Sequence, residues 1–127
     1  MLKNKLYRID AQHYAPERLD VDLHLCLSHE IFDGHFPDQP ILPGVCTLQI
    51  CKELLADFIK KPISITAFQS IKYTKLIDPR ATPTLHVSMT VGEWINNQQR
   101  IQAVVMTKAG EVASKLLFQV TKPYATD

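Results

Sequence analysis

The chain of 127 residues contains 46% hydrophobic and 21% charged residues, a composition typical of a folded globular protein. Its 14 Lys and Arg residues nearly balance its 13 Asp and Glu residues, which removes the electrostatic argument for a nucleic-acid partner. No apolar run approaches the roughly 20 residues that span a bilayer, and no apolar signal core follows Met1. We therefore predict one cytoplasmic domain over residues 1–127, with no membrane and no nucleic acid among its partners.

The three cysteines, Cys26, Cys46 and Cys51, lie among apolar neighbours and show no CxxC spacing. An odd number without that spacing argues against a disulfide framework and against a zinc site. We expect reduced thiols that fill the core as small hydrophobic groups. No His, Asp and Glu residues have a recognisable metal-ligand spacing, so no metal is predicted.

The first predicted elements are strands. Residues 7–11 form a weak strand candidate, and residues 20–28 alternate between apolar and polar side chains, as a half-buried strand does. The apolar face of this second strand holds Val21, Leu23, Leu25 and Leu27.

A loop is predicted over residues 29–43, because its three prolines remove backbone donors and exclude a helix or a central strand. Apolar side chains are interspersed along it, so we expect it to pack against the domain and to hold one shape. The prolines are Pro37, Pro40 and Pro43.

A helix is predicted from Pro43 to about Lys60. Pro43 suits the first turn, where its missing N–H would have no partner anyway. Lys61 and Pro62 suit the end, because cations favour the negative end of the helix dipole and proline blocks continuation. Few polar residues precede Lys52, so we expect the first half to be buried on nearly all sides. Burial of that kind requires cover on more than one side, as when a sheet wraps the helix.

The remaining chain is predicted to form strands over residues 64–76, 84–91, 94–107 and 111–121. Gly92 and Glu93 are the expected tight link between the second and third of these, and residues 108–110 are the next link. The order of the elements predicts an α+β fold in which one long helix packs against a curved antiparallel sheet of five to six strands.

The most informative segment, residues 34–45, has the sequence GHFPDQPILPGV. It resembles the signature GHFPGxPxxPGV of the hot-dog-fold 3-hydroxyacyl-acyl-carrier-protein dehydratases, and within it only Asp38 departs from the pattern. The resemblance implies the hot-dog fold, in which a sheet wraps one central helix. It also implies a hydro-lyase that converts a 3-hydroxyacyl thioester into a trans-2-enoyl thioester.

Such a reaction requires a base, a stabiliser for the thioester oxygen and an acid for the leaving hydroxyl. His35 is the candidate base, because an imidazole titrates near neutral pH. The first N–H groups of the helix, at Gly44 and Val45, lack partners within the helix and can hold the charged oxygen. Gly44 has no side chain to block the approach of the thioester, and the resemblance makes its N–H the main donor. Tyr73 is predicted to be a packing residue.

The acid is where this chain departs from the family. The resemblance places the acid fourteen residues after His35, where this chain has Gln49, and a carboxamide does not deliver a proton at neutral pH. Glu53 lies one turn beyond Gln49 on the same helix face and is a candidate substitute acid. The other candidates are Glu30, Asp33 and Asp38, and Phe36 and Leu48 are candidates for lining a substrate tunnel.

Three functions remain open at this point. The first is a dehydratase that acts on an acyl-carrier-protein or CoA thioester. The second is a catalytically impaired chain that binds acyl thioesters or pairs with an active relative, since Gln49 occupies the acid position. The third is a hot-dog thioesterase, because a fold does not determine its reaction.

The resemblance also implies an assembly. Hot-dog dehydratases pair their sheets and share the site between subunits, so we expect a homodimer or a larger oligomer of dimers, with a heterodimer as the alternative. In the homodimer, His35 of one chain would lie near the helix of its partner. No cofactor is expected, because the reaction consists of proton transfers.

Overall fold

A computed structural model describes residues 2–32 and 41–121. The sheet has six antiparallel strands in the order β1-β2-β4-β5-β6-β3, so that β1 and β3 form its two edges. The predicted combination of one long helix with a sheet of five to six strands is thus confirmed. The elements are β1 (Tyr7–Ala15), β2 (Arg18–Leu25), a short 3-10 helix (Glu30–Phe32), α1 (Gly44–Ile59), β3 (Ser64–Tyr73), β4 (Thr84–Ile95), β5 (Gln98–Thr107) and β6 (Val112–Thr121).

Helix α1 begins and ends within one residue of its predicted bounds. Pro43 precedes the first turn with an extended backbone, at φ −62° and ψ 144°. Lys60 ends the helix in the left-handed region, at φ 63°, where its N–H donates to the carbonyl of Ala56 at 2.7 Å. Within residues 2–32 and 41–121, no helix is long and apolar enough to cross a membrane.

One hydrophobic core joins α1 to the sheet face that we call the inner face. Alternate residues of the strands point to this face, as their burial pattern shows. The expected burial of Cys46 and Cys51 is confirmed, whereas Cys26 is only partly buried. The expectation that the first half of α1 is covered on nearly all sides is wrong for Val45, whose side chain is 70% exposed. The helix residues in the core are Cys46, Ile50, Cys51, Leu54 and Leu55.

The link between β4 and β5 lies four residues later than predicted. Asn96 and Asn97 form the turn, with φ values of 52° and 64° that asparagine tolerates better than most residues. Gly92 and Glu93 instead form a bulge inside β4, where the register with β5 shifts. A Cβ on Gly92 would lie 3.2 Å from the carbonyl oxygen of Arg100, so the glycine permits a close approach of backbone rather than a turn.

The first two strands also differ from the prediction. β1 extends to Ala15, because its whole length pairs with β2. β2 ends at Leu25, and the next N–H, that of Cys26, donates to the carbonyl of Leu6 at 2.7 Å. Leu27 therefore leaves the strand, and the prediction that it lies on the buried face is wrong: it is 49% exposed.

Candidate functional site

The segment that leads into α1 is held by the chain that follows β3. The N–H of Leu42 donates to the carbonyl of Ile77 at 2.9 Å, and both side chains are buried. Pro43 follows and has no N–H to satisfy. The first turn of α1 consequently starts from an anchored backbone.

The first N–H groups of α1 lie at the helix end that lacks internal acceptors. The carbonyl of Pro43 accepts the N–H groups of Cys46 at 3.0 Å and Thr47 at 3.3 Å. In the part of the chain that the structure describes, no hydrogen bond uses the N–H of Gly44 or Val45. These groups stand at the positive end of the helix dipole, which favours a negative ligand. An oxygen that gains charge during a reaction would find two donors here.

Tyr73 covers Gly44. Its hydroxyl donates to the carbonyl oxygen of Gly44 at 3.0 Å. A Cβ on Gly44 would lie only 2.7 Å from Cζ of the Tyr73 ring, so a residue with a side chain could not fit under the ring as it stands. The sequence predicts Tyr73 to be a packing residue. The ring packs on the side of Gly44 where a Cβ would lie, and the hydroxyl adds a polar contact that the sequence did not signal.

Gln49 is fixed by Glu53. Its side-chain nitrogen donates to Oε2 of Glu53 at 2.9 Å. Because an ionised carboxylate only accepts hydrogen bonds, the amide nitrogen must face Glu53 and the amide oxygen must face away from it. The residue in the predicted acid position therefore presents an acceptor to its other side.

Glu53 is a buried carboxylate that accepts four hydrogen bonds. It is 4% exposed, and its two oxygens also accept hydrogen bonds from the N–H of Leu2 at 2.8 Å, the N–H of Lys3 at 3.0 Å and the hydroxyl of Tyr7 at 3.0 Å. Burial raises the pKa of this carboxyl group, but the four hydrogen bonds outweigh burial and leave the pKa below its usual value. An ionised carboxylate has no proton to give, which weighs against Glu53 as a substitute acid.

The remaining predicted site residues divide into two groups. Leu48 is partly buried and packs against the core, and Glu30 begins the short 3-10 helix. Their proposed roles stay predictions. The others, which include the candidate base, lie outside the described residues: His35, Phe36, Asp33 and Asp38.

A charged cluster that we did not predict lies on the opposite face of the sheet. His86 contacts Asp22 through Nδ1 at 2.8 Å and Asp20 through Nε2 at 3.1 Å, and Arg18 donates to Asp20 at 2.9 Å. Burial lowers the pKa of His86, but the two aspartates outweigh burial and leave it raised. The hydrogen bond from Arg18 is the main cause that lowers the pKa of Asp20 to about 2. The alternation of β2 puts these side chains on its outer face, away from α1.

A metal centre was not expected. Among residues 2–32 and 41–121, no group of three or more His, Cys, Asp or Glu side chains is arranged to hold a metal ion.

Comparison with protein families and curated sequences identifies relatives over most of the chain. The family model of the ApeI-like proteins, described as ApeI dehydratase, matches residues 11–116. The 3-hydroxyacyl-[acyl-carrier-protein] dehydratase FabZ of Rickettsia massiliae (strain Mtu5) is 26% identical over 95 residues, which cover 68% of this chain and 63% of that protein. A FabZ from Rickettsia bellii (strain OSU 85-389) is 27% identical with the same coverage. The match thus spans less than two thirds of the length of these curated relatives.

Solved structures show the same architecture. The dehydratase heterocomplex ApeI:P from Xenorhabdus doucetiae has a TM-score of 0.69 at 18% identity and covers 90% of this chain and 96% of that chain. A hypothetical thioesterase protein with coenzyme A from Streptococcus pneumoniae TIGR4 has a TM-score of 0.67 at 12% identity, with coverage of 91% and 84%. At such identities the likeness concerns the fold, and it confirms the predicted hot-dog fold.

Proposed function

The chain belongs to the ApeI-like dehydratase family, and from this premise we propose that it removes water from a 3-hydroxyacyl thioester to give a trans-2-enoyl thioester. The acyl group would be carried by an acyl carrier protein or by CoA. The observation that carries the proposal is the pair of N–H groups at Gly44 and Val45, which have no hydrogen-bond partner among residues 2–32 and 41–121 and lie at the positive end of a 16-residue helix. A thioester oxygen that becomes an oxyanion is the kind of ligand that such a pair stabilises.

The proposed reaction uses one base for both proton transfers. His35 removes the proton from the carbon next to the thioester carbonyl, and the electron pair moves onto the thioester oxygen held by the Gly44 and Val45 N–H groups. The pair then returns to form the C2–C3 double bond and expels the β-hydroxyl, which takes the proton back from His35 and leaves as water. Gln49 has no proton to supply. Its amide oxygen, turned away from Glu53, accepts a hydrogen bond from the hydroxyl and orients it.

The test is mass spectrometry of the purified protein with a panel of 3-hydroxyacyl and trans-2-enoyl thioesters of CoA and of acyl carrier protein. We expect loss or gain of one water, which His35→Ala abolishes and His13→Ala, on the exposed part of β1, preserves. Intact thioesters after incubation with folded wild-type protein would refute the proposal.

A second candidate is a catalytically impaired subunit that works beside an active relative. It is favoured by the contact of Gln49 with Glu53, which occupies the amide in the acid position. If the chain is such a subunit, the same assay shows that it binds thioesters without converting them. Turnover then appears when a related dehydratase is added. A hot-dog thioesterase would instead release a free thiol, which a thiol reagent detects directly.

We further propose that two copies of the chain pair through β3. This strand forms one edge of the sheet, runs for 10 residues and is largely exposed, with Phe68 48% accessible. A long unpaired edge strand is a template for pairing with another strand. Pairing through β3 would bring Tyr73 near the partner chain, because Tyr73 lies at the end of β3 beside the start of α1.

Light scattering at micromolar concentration tests the pairing. We expect a mass of twice 14.4 kDa. Phe68→Pro should shift the mass towards that of the monomer, whereas Ile95→Ala, at the exposed end of β4, should leave the dimer intact. A wild-type protein of 14.4 kDa would contradict the homodimer and direct the search to a heterodimer with a related dehydratase.

A further inference from the structure

We propose that Tyr73 is a positioning residue that fixes the peptide unit between Gly44 and Val45 and thereby aims the Val45 N–H at the thioester oxygen. This inference rests on the proposed function, because it assigns a purpose to the same pair of donors. It concerns a residue whose described contact at the site is the carbonyl of Gly44, so that it acts on the donors through the backbone.

The first support is the way in which the sheet holds Tyr73. It is the last residue of β3 and pairs with Ser114 of β6. The N–H groups of the next two residues, Thr74 and Lys75, both donate to the carbonyl of Ala113, at 2.9 and 3.2 Å. The backbone of Tyr73 is therefore anchored on both sides, and its side chain reaches α1 from a fixed base.

The second support is the atom that the hydroxyl contacts. The carbonyl of Gly44 and the N–H of Val45 belong to the same planar peptide unit. The hydroxyl of Tyr73 donates to that carbonyl at 3.0 Å, so it restrains the rotation of the unit as a whole. A hydrogen bond that polarises the carbonyl also makes the N–H of the unit a better donor. Tyr73 thus acts on both the direction and the strength of the Val45 donor.

The third support is the fit of the ring. The ring lies so close to Gly44 that a Cβ there would be 2.7 Å from Cζ and 2.9 Å from the hydroxyl oxygen. The ring is half-exposed and can swing away, so Gly44→Ala should displace it rather than unfold the protein. Displacement removes the hydroxyl from the carbonyl, and the variants Gly44→Ala and Tyr73→Phe should therefore act on one and the same contact.

The protonation state of Tyr73 suits a donor. Burial raises the pKa of its hydroxyl, and the nearby Cys51 raises it further. The hydroxyl accordingly keeps its proton at neutral pH and donates a hydrogen bond to the Gly44 carbonyl.

The kinetic test compares Tyr73→Phe with Tyr14→Phe. The second variant removes a hydroxyl whose described hydrogen bond goes to the exposed side chain of Gln12, at 3.3 Å, on the other edge of the sheet. Because the net value of one hydrogen bond corresponds to a few-fold change in rate, we expect Tyr73→Phe to lower kcat about threefold to tenfold with little change in KM. Tyr14→Phe should match the wild type. The double variant of Gly44→Ala with Tyr73→Phe should be no slower than Gly44→Ala alone.

A second measurement does not depend on turnover. The amide signals of Gly44 and Val45 are followed by nuclear magnetic resonance while trans-2-butenoyl-CoA is added to 15N-labelled protein. In the wild type we expect both signals to move, and in Tyr73→Phe we expect the Val45 signal to start at a different nitrogen shift and to move less. The Tyr14→Phe variant should repeat the wild-type titration.

The outcomes separate the two proposals. If the wild type converts the thioester and Tyr73→Phe changes neither kcat nor the Val45 signal, the inference about Tyr73 is wrong while the proposed function stands. If the wild type binds the thioester at these amides without converting it, the dehydratase proposal fails, and a reduced Val45 response in Tyr73→Phe still supports the positioning role. If neither amide responds in the wild type, the positioning role is refuted as well.

Discussion

Glu53→Ala should lower the free energy of unfolding by about 3–4 kcal/mol, because it removes the common acceptor of four donors and leaves several of them unpaired in or near the core. Among these donors, the hydroxyl of Tyr7 contributes the largest loss of stability, because the residue is fully buried and water cannot replace its partner. Two further donors are the backbone N–H groups of Leu2 and Lys3, which would lose their anchor on the helix. Urea denaturation followed by circular dichroism measures the change.

Asp57→Ala is the matched control. Asp57 lies one turn further along α1 and also contacts the N-terminal segment, through Lys3 at 3.4 Å, but its side chain is 37% exposed. An exposed pair of this kind contributes at most about 1 kcal/mol. A loss of no more than about 1 kcal/mol in Glu53→Ala would show that its four hydrogen bonds add no more to stability than an exposed ion pair.

The same carboxylate should give the stability a distinct pH dependence. The pKa of Glu53 is lower in the folded protein than its ordinary value of 4.5. Its contribution is therefore complete above the unfolded pKa and is lost as the pH falls through the folded pKa. Glu53→Gln should reduce stability at pH 7, and the difference from the wild type should shrink in acid.

Gln49→Glu should raise the turnover of a 3-hydroxyacyl thioester about 10²-fold, the lower end of what general acid catalysis contributes. The new carboxyl would stand where the Gln49 nitrogen now lies 2.9 Å from Glu53, and two carboxyl groups so close cannot both ionise easily. The pair would share a proton with a raised pKa, as coupled groups do. That proton supplies the leaving hydroxyl, which the amide cannot do.

The shared proton also predicts how the variant responds to pH. Because the folded pKa of the pair is raised, the stability of Gln49→Glu should be highest in mild acid and should fall as the pH rises through that pKa. Its gain in turnover should disappear over the same range. Gln102→Glu, on the exposed part of β5, should alter neither quantity. A variant that stays as slow as the wild type at every pH would contradict the assignment of position 49 as the acid position.

The periodic elements of this fold were accessible from sequence because their signals are local. Pro43 and Gly44 mark the start of α1, and the alternation around Val21 marks β2. The turn at Asn96 was missed because Gly92 offers the stronger local turn signal, and only the register with β5 shows that the glycine belongs to a bulge. A glycine in a strand and a glycine in a turn look alike until the partner strand is known.

The polar contacts of the candidate site were harder to predict because they join distant parts of the chain. Glu53 receives donors from residues 46 to 51 positions earlier, and Tyr73 reaches Gly44 over 29 positions. No periodicity encodes such distances. The sequence holds one such signal: Glu53 falls on the buried side of α1, where an acidic residue requires partners. The i, i+4 spacing of Gln49 and Glu53 is the local part of that network, and the sequence predicts that the two share a helix face.

The fit of the Tyr73 ring against Gly44 also restricts how this family can diverge. A side chain at position 44 competes with the ring for the same space, so we expect the two positions to vary together. A substitution of Gly44 displaces the ring and loses its contact with the Gly44 carbonyl, whereas the same substitution costs no such contact once position 73 has lost its aromatic ring. Aligned relatives should therefore combine a larger residue at 44 with a smaller residue at 73, and the combination of two bulky residues should be rare.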